Sequence, residues 1–314
     1  MHVPVLLNEV LELLNIREGG VYIDGTMGSG GHSEAILERI GSDGLLLGID
    51  RDVDALERCG RRLARFGDRC MSIHGNYADM AEIAAKAGVS EVDGILLDLG
   101  VSSDQIDTAE RGFSFMHDGP LDMRMDQSGG LTAADVVNGT SENDLVMILR
   151  KFGEERSARR VSAAIVQRRA EKNFETTGDL AEVISIAKGG RRGRKHPATQ
   201  SFQAIRMEVN RELDGVEEVL SGGIDLLRSG GRMAVITFHS LEDRIVKRFF
   251  VAHEGRWESL AAGGERWQGE LPTMKRITRK AVKPVESECS ENPRARSSKL
   301  RVAERVMSPY KKGY

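Results

Sequence analysis

Cysteine and long apolar runs are scarce in this chain of 314 residues. The three cysteines, Cys59, Cys70 and Cys289, are odd in number and lack C-x-x-C spacing. This pattern argues against a disulfide framework or a metal site and favours a reducing compartment, the cytoplasm. There is no run of about 18 apolar residues, so we expect no membrane span. The first ten residues lack a basic flank and a cleavage site, so we also expect no signal peptide.

The glycine-rich stretch 24–32 (DGTMGSGGH) lacks the endings of two common nucleotide loops. No Gly-Lys-Ser/Thr follows it, which excludes the phosphate loop of NTPases. The dinucleotide pattern G-x-G-x-x-G requires a third glycine where Ser33 stands, which disfavours a nucleotide-dependent oxidoreductase. Asp24 places an acid ahead of the turn, where a pyrophosphate gains nothing from it. A ligand with a sulfonium and an ammonium group suits that acid, so the sequence favours S-adenosylmethionine.

Apolar runs and amphipathic stretches alternate through the first hundred residues. Strands are predicted at 21–24, 45–50, 71–74 and 92–99, and helices at 33–40, 52–66 and 78–87. This βαβ series predicts a parallel sheet covered on both faces. The glycine turn joins the first strand to the first helix, where backbone can approach a ligand closely. Asp50 ends the second strand, where a carboxylate can accept hydrogen bonds from both hydroxyls of a ribose.

A long interruption separates the fourth strand from the next strand of equal apolarity, 232–238. The gap of about 130 residues is far longer than a crossover needs. A helix over 211–228 can supply the crossover, so we predict a discontinuous domain, 1–104 and 208–314, and a mainly helical insert, 105–207.

Several local features accompany this division. Helix starts are predicted at Ser141 and Thr176 within the insert, and Ser240 is predicted to cap the helix after strand 232–238. Residues 275–285 and 300–307 are predicted to pair as a terminal hairpin, and 254–272 to be mobile.

Positive charge is segregated. The net charge is −3, but residues 271–314 carry 12 Lys/Arg against 4 Asp/Glu, and residues 188–211 carry 7 against one. A phosphate backbone is the natural partner of concentrated positive charge on an otherwise acidic protein, although a solvated surface is the alternative.

The loop after the fourth strand, 98–103 (DLGVSS), carries the candidate chemistry. An aromatic exocyclic amine is a weak nucleophile, and Asp98 or the loop carbonyls can accept its N–H groups and aim its lone pair at a methyl group. Asp98 binding the amino-acid part of the cofactor is an equal alternative. Tyr77 follows the third strand and suits contact with an adenine or packing on the core. Methylation of a pyrimidine carbon needs a cysteine nucleophile, and no cysteine stands at a strand end, so nitrogen attack is favoured.

The chain resembles the bacterial 16S ribosomal RNA cytosine-N4 methyltransferases, the RsmH/MraW family. The resemblance spans most of the chain and is carried by residues 22–26 with 30–32, 94–103, 111–126, 195–206 with 209–210, and 238–249. It implies a Rossmann-like S-adenosylmethionine-dependent methyltransferase sheet with an inserted helical substrate-recognition domain. It also implies methyl transfer to the N4 amine of one cytidine in the decoding region of 16S rRNA, within the small subunit or its precursor.

The family's cofactor positions correspond to seven residues here: Gly30, Gly31, His32, Asp50, Tyr77, Asp98 and Gln105. Relatives commonly have phenylalanine where Tyr77 stands. An assembly factor that binds the cofactor and rRNA without turnover is the alternative function, and the sequence also allows a homodimer.

A first prediction concerns the basic run Arg191, Arg192, Arg194 and Lys195, which combines charge with flexible glycine. Replacing these four residues with alanine should weaken RNA binding and flatten its salt dependence, because fewer phosphates are neutralised. Titrations at several ionic strengths measure both effects. An affinity that stays the same at every salt concentration would refute this role.

Overall fold

The structure, a computed structural model, describes residues 4–190, 196–259, 265–268 and 273–306. The chain divides into two compact units, one formed by Met1–Gly100 with Leu213–Tyr314 and the other by Val101–Glu212. The basic run 191–195 lies outside the described residues.

Seven strands of the first unit form one sheet in the order β3-β2-β1-β4-β5-β9-β8. A separate antiparallel pair, β6 and β7, lies within the stretch predicted to be mobile. The strands are β1 (Val21–Asp24), β2 (Leu45–Asp50), β3 (Cys70–His74), β4 (Val92–Asp98), β5 (Leu227–Thr237), β6 (Arg256–Ser259), β7 (Glu265–Gln268), β8 (Met274–Arg276) and β9 (Lys299–Arg305).

Helices connect these strands and make up most of the second unit. They are α1 (Leu7–Leu13), α2 (Gly31–Arg39), α3 (Val53–Leu63), α4 (Met80–Lys86), α5 (Ser103–Asp107), α6 (Ala133–Gly139), α7 (Glu142–Gly153), α8 (Ala158–Glu171), α9 (Thr177–Ala187), α10 (Thr199–Val209), α11 (Glu212–Leu226), α12 (Ser240–Glu254) and α13 (Glu286–Glu291). Ser141 and Thr176 cap α7 and α9, as predicted, by accepting backbone N–H groups. No helix in these described ranges is long and apolar enough to cross a bilayer.

Strands β1 to β5 run parallel, and their successive side chains alternate between two buried clusters. Ile23 and Leu97 pack with α4, α11 and α12 on one face. Tyr22 and Leu96 pack with α1, α2 and α3 on the other. Burial of both faces explains why β1, β2, β4 and residues 233–237 of β5 are largely apolar in sequence, whereas β3, at the end of the sheet, is partly exposed. The predicted α/β fold is confirmed.

The order of the sheet determines where a ligand can bind. Chain connection reverses direction between β1 and β4, which are adjacent and parallel. Open parallel sheets bind ligands outside the carboxyl ends of their strands at such a reversal. This edge carries Asp24, Asp50 and Asp98, the last residues of β1, β2 and β4.

The predicted terminal hairpin is wrong in its details. β8 has only three residues and pairs antiparallel with β9, with a single further bridge between Val282 and Leu300. α13 and a 3-10 turn at Pro293–Ser297 lie between them, so the connection is not a hairpin. Charged and apolar residues do not alternate regularly over 275–285, which is why the pattern overestimated the strand.

Two glycines that each end a helix of the second unit give a matched stability test. A Cβ on Gly153 of α7 would lie 2.5 Å from the backbone oxygen of Gln200, whereas a Cβ on Gly139 of α6 would meet nothing within 4 Å. We expect Gly153→Ala to lower the free energy of unfolding by about 1–3 kcal/mol. Gly139→Ala should leave it unchanged or raise it by up to about 1 kcal/mol. Chemical denaturation measures both, and equal effects would contradict the packing described.

Candidate active site

The glycine turn after β1 is held in shape by the carboxylate at the end of β2. Asp50 accepts the N–H of Gly28 at 2.7 Å through Oδ2 and the N–H of Asp52 at 2.9 Å through Oδ1. Gly28 and Gly30 have φ values of 51° and 78°, in the left-handed region that favours glycine. Any side chain at Gly30 would also place its Cβ 2.6 Å from the sulfur of Cys59. The turn therefore needs glycine for both conformation and space.

Asp24 is buried beneath this turn and is fully engaged. Its Oδ2 accepts the hydroxyl of Ser33 at 2.6 Å, and its Oδ1 accepts the N–H of Thr26 at 3.1 Å. Burial raises the pKa of Asp24 to about 6, although these hydrogen bonds act in the opposite direction. Ser33, which breaks the dinucleotide pattern, is thus the residue that holds Asp24.

Thr26 joins the first loop to the end of β4. Its hydroxyl oxygen accepts the backbone N–H of Asp98 at 2.6 Å. The N–H of Leu99 continues to the carbonyl of Ile236 in β5. The loops after β1 and β4 are therefore tied together at the same edge of the sheet.

His32, the second residue of α2, bridges the N-terminal segment and Asp98. Its Nε2 lies 3.0 Å from the carbonyl oxygen of Val5. A carbonyl can only accept, so this contact assigns the ring proton to Nε2. Nδ1 lies 3.7 Å from Oδ2 of Asp98. Neighbouring Gly31 is equally confined, because a Cβ there would lie 2.4 Å from the ring of Pro4.

Asp98 carries an unmatched polar atom at this edge. Its side chain is 26% exposed, but Oδ1 is buried and accepts no hydrogen bond from the described residues. Burial, followed by the negative charges of Asp24 and Glu242, raises the pKa of Asp98 to about 8. A buried acceptor without a donor is costly and points to a ligand.

Tyr77 lies at the same edge, in a 3-10 turn after β3. It is buried within the apolar cluster that also contains Leu97. The Arg51 guanidinium lies 5.7 Å from its ring centroid. A Cβ on Gly25 would lie 3.5 Å from the Cβ of Tyr77, so the ring begins directly beside the glycine turn.

Six of the seven predicted cofactor residues lie in the first unit at this edge; Gln105 belongs to the second unit. There it completes a capping box at the start of α5. Gln105 Oε1 accepts the N–H of Ser102 at 3.0 Å, and its own N–H donates to the hydroxyl of Ser102 at 3.1 Å.

Sequence reasoning missed the residues that hold these side chains in place, and it misassigned one cap. The N-cap of α12 is His239, which accepts the N–H of Glu242, and not Ser240. Glu242 is buried, and its carboxylate accepts the backbone N–H of His239 at 3.4 Å in return and that of Phe238 at 3.0 Å. The spacing of an N-cap residue and a Glu three residues later was the available signal.

The chemistry of the edge fits a cationic ligand. Three aspartates end strands at this edge, and one of them, Asp98, has a buried oxygen without a hydrogen-bond donor among the described residues. A pyrophosphate would be repelled, whereas sulfonium and ammonium groups would be attracted. The site therefore fits S-adenosylmethionine better than a dinucleotide.

A family model and two relatives agree with this choice of cofactor. Residues 1–306 match the model of the MraW methylase family. The chain belongs to the MraW methylase family. It is 49% identical over 306 residues to the ribosomal RNA small subunit methyltransferase H of Carboxydothermus hydrogenoformans, covering 97% of this chain and 98% of that protein. It is 51% identical over 307 residues to the protein of the same name from Syntrophotalea carbinolica, with the same coverage. The rRNA methylase structure from Streptococcus thermophilus has a TM-score of 0.43 and 9% identity, covering 96% of this chain and 94% of that one.

Membership of this methylase family rests on the sequence matches. As a member, the chain is a methyltransferase whose cofactor is S-adenosylmethionine. The cofactor predicted from the glycine turn and its acid is confirmed.

The raised pKa of Asp98 predicts a pH-dependent stability. The folded protein keeps a proton on Asp98 up to about pH 8, whereas the unfolded chain loses it near the ordinary value of 3.8. Stability therefore falls as the pH rises through this interval. Between pH 6 and 8 the wild type should lose about 2 kcal/mol that Asp98→Asn does not lose. Urea denaturation without cofactor at each pH measures the difference.

The control is Glu57→Gln, which removes an exposed carboxylate from α3 in the same unit. It should lose stability with pH as the wild type does. If Asp98→Asn and the wild type decline in parallel, Asp98 is ionised in the fold and the assignment of its proton is wrong.

Proposed function

We propose that this methyltransferase transfers a methyl group from S-adenosylmethionine to the exocyclic N4 amine of a cytidine in the decoding region of 16S rRNA. The observation that carries the proposal is the buried, unmatched Oδ1 of Asp98, located at the cofactor edge of a chain from this family. The names of the relatives support small-subunit rRNA as the substrate.

The residues assigned to cofactor binding are Gly30, Gly31, His32, Asp50, Tyr77, Asp98 and Gln105. The glycines leave room for a ligand against the backbone, and Asp50 has lone pairs left to accept ribose hydroxyls beside its two backbone contacts. Tyr77 offers an aromatic surface for the adenine.

The exocyclic amine of cytidine is a weak nucleophile, and this is the chemical difficulty of the methyl transfer. S-adenosylmethionine supplies an electrophilic methyl group whose leaving group is a neutral thioether. Oδ1 of Asp98 accepts an N–H of the target amine, which localises the nitrogen lone pair and aims it at the methyl. Once the nitrogen has formed its new bond, its excess proton passes to solvent water, because Asp98, with a pKa of about 8, already carries a proton at neutral pH and accepts a hydrogen bond but no further proton.

The cysteines support nitrogen rather than ring-carbon methylation. Cys59 is buried below the glycine turn, and burial raises the pKa of its thiol to about 12. The pKa of Cys70 is also raised by burial, and Cys289 belongs to α13. None of them follows a strand at the carboxyl edge as an accessible thiolate, which attack on a pyrimidine carbon requires.

The two units contribute differently to cofactor binding and to RNA recognition. The unit containing the sheet supplies six of the seven cofactor residues, and the Val101–Glu212 unit, to which Gln105 belongs, recognises rRNA within the small subunit or its precursor. The enzyme acts in the cytoplasm, and its three free cysteines fit a reducing compartment. A homodimer stays a prediction from the sequence.

Methyl transfer tests the function directly. Purified protein, labelled S-adenosylmethionine and small subunits that lack the modification should give labelled 16S rRNA, and nuclease digestion with mass analysis should place the methyl on N4. Asp50→Ala should abolish cofactor binding and transfer, because the ribose contact and the support of Gly28 are lost together.

The matched control is Asp43→Ala, which removes an exposed aspartate between α2 and β2 and should bind cofactor normally. If label never reaches RNA while Asp50→Ala still abolishes cofactor binding, the chain is an assembly factor without turnover. A methyl on a ring carbon would refute the role given to Asp98. Asp98→Asn separates its two roles, because lost cofactor affinity assigns it to the cofactor and a lower kcat alone assigns it to the amine.

A further inference from the structure

Three arginines form an exposed cationic surface at the start of α8. Arg156 lies in the turn after α7, and Arg159 and Arg160 lie in the first turn of α8; all three are exposed. Arg159 and Arg160 are adjacent in the first turn of the helix and Arg156 lies two residues before its first residue, so the three charges fall within a stretch of five residues. We call these three residues the α8 arginine patch.

The charges of the α8 arginine patch are unpaired. Within the described ranges, Arg156, Arg159 and Arg160 make no ion pair and no side-chain hydrogen bond. Many arginines elsewhere bind a carboxylate: Arg62 with Glu34, Arg65 with Glu38, Arg124 with Asp122, Arg206 with Glu212, Arg232 with Glu304, Arg276 with Glu254 and Arg301 with Asp243.

The other two arginines of α8 make contacts within the protein. Arg168 donates to the carbonyl of Lys172 and lies over the ring of Phe174, and Arg169 donates to the carbonyl of Val137. These side chains support the fold at the C-terminal end of α8. The α8 arginine patch makes no such contact within the described residues, so its charge is available to a partner.

The location of the patch opposes the local electrostatics. The N-terminal end of a helix carries partial positive charge, which favours acids and disfavours arginine. The first turn of α8 contains no acid. Like charges this close along the chain repel as well.

The backbone under the patch is firmly held. Glu155, buried in the same turn, accepts the Lys188 ammonium at 2.5 Å and the N–H of Ser157 at 2.9 Å. Lys188 also donates to the carbonyl of Pro197 at 2.8 Å. Gly153 lies so close to the backbone of α10 that no side chain fits there. The arginines therefore project from a fixed platform, which reduces the entropy lost on binding.

We infer that the α8 arginine patch binds the phosphate backbone of the rRNA substrate. The inference rests on the proposed function and adds a docking surface distinct from the basic run 191–195. Guanidinium groups present several donors in a planar fork that matches phosphate oxygens. The contacts position the RNA and carry no sequence information.

The test combines Arg156→Gln, Arg159→Gln and Arg160→Gln in one protein. Binding is measured to deproteinised 16S rRNA and to small ribosomal subunits, from about 50 to 200 mM salt at constant magnesium. Each lost phosphate contact lowers the slope of log affinity against log salt by about 0.7–0.9, so the slope should fall by about two to three. Affinity at the lowest salt concentration should fall at least about 10-fold. Cofactor affinity should be unchanged.

A matched control removes the same charge from the other unit through Arg39→Gln, Arg61→Gln and Lys247→Gln, all exposed positions. The inference holds if only the patch variant loses affinity and salt dependence for both probes. Equal losses in the control would mean that net charge alone acts, and no loss in the patch variant would mean that the patch contacts nothing; either result overturns the inference.

Comparing deproteinised rRNA with small subunits shows whether RNA or a ribosomal protein is the partner of the α8 arginine patch. Loss of affinity for small subunits without loss for deproteinised rRNA would assign the patch to a ribosomal protein and also overturn the inference. The proposed function is judged separately by methyl transfer from the wild type. A wild type that methylates rRNA while the patch variant binds RNA normally leaves the function intact and refutes the patch alone.

Discussion

The site depends on carboxylates kept at one edge of a parallel sheet against the cost of burying them. Asp24 is satisfied by Ser33 and Thr26, and Asp50 by two backbone N–H groups. Asp98 is not satisfied in the same way, and its Oδ1 accepts no hydrogen bond from the part of the chain that the structure describes. Stability alone would replace such a group or give it a donor. Under the proposed function, cofactor or substrate supplies the partner that this oxygen lacks.

The same network explains how loops from distant parts of the sequence keep their positions. Thr26 receives the N–H of Asp98, and His32 lies between Val5 and Asp98. The glycines permit the turn, but these hydrogen bonds fix it. A loop fixed in this way needs little reorganisation when charge changes at the reacting atoms, which is the main source of rate enhancement at a site that positions two reactants.

Much of the fold could be predicted because local patterns agreed with the tertiary structure. The strands at 21–24 and 45–50 are buried on both faces, so their sequences are continuously apolar and bounded by turns. The acids at strand ends and the glycine turn likewise lie at one edge of the sheet, where we predict the cofactor to bind. The role of Gln105 came from resemblance alone, because its visible job is to cap α5. The contacts of His32 with Val5 and of Ser33 with Asp24 join residues 27 and nine positions apart, and no local pattern reports them.

Under the further inference, the unpaired arginines of the α8 arginine patch bind phosphate groups. An arginine that is bound to a carboxylate contributes a little to the stability of the fold and is not available to the RNA. Phosphates lie at every nucleotide, so arginines that bind them give affinity but cannot select one cytidine. Selection must then come from which base can leave its stack, because only such a base can enter an enzyme site that modifies it. Specificity for a single nucleotide is in that case a property of the folded rRNA as much as of the enzyme.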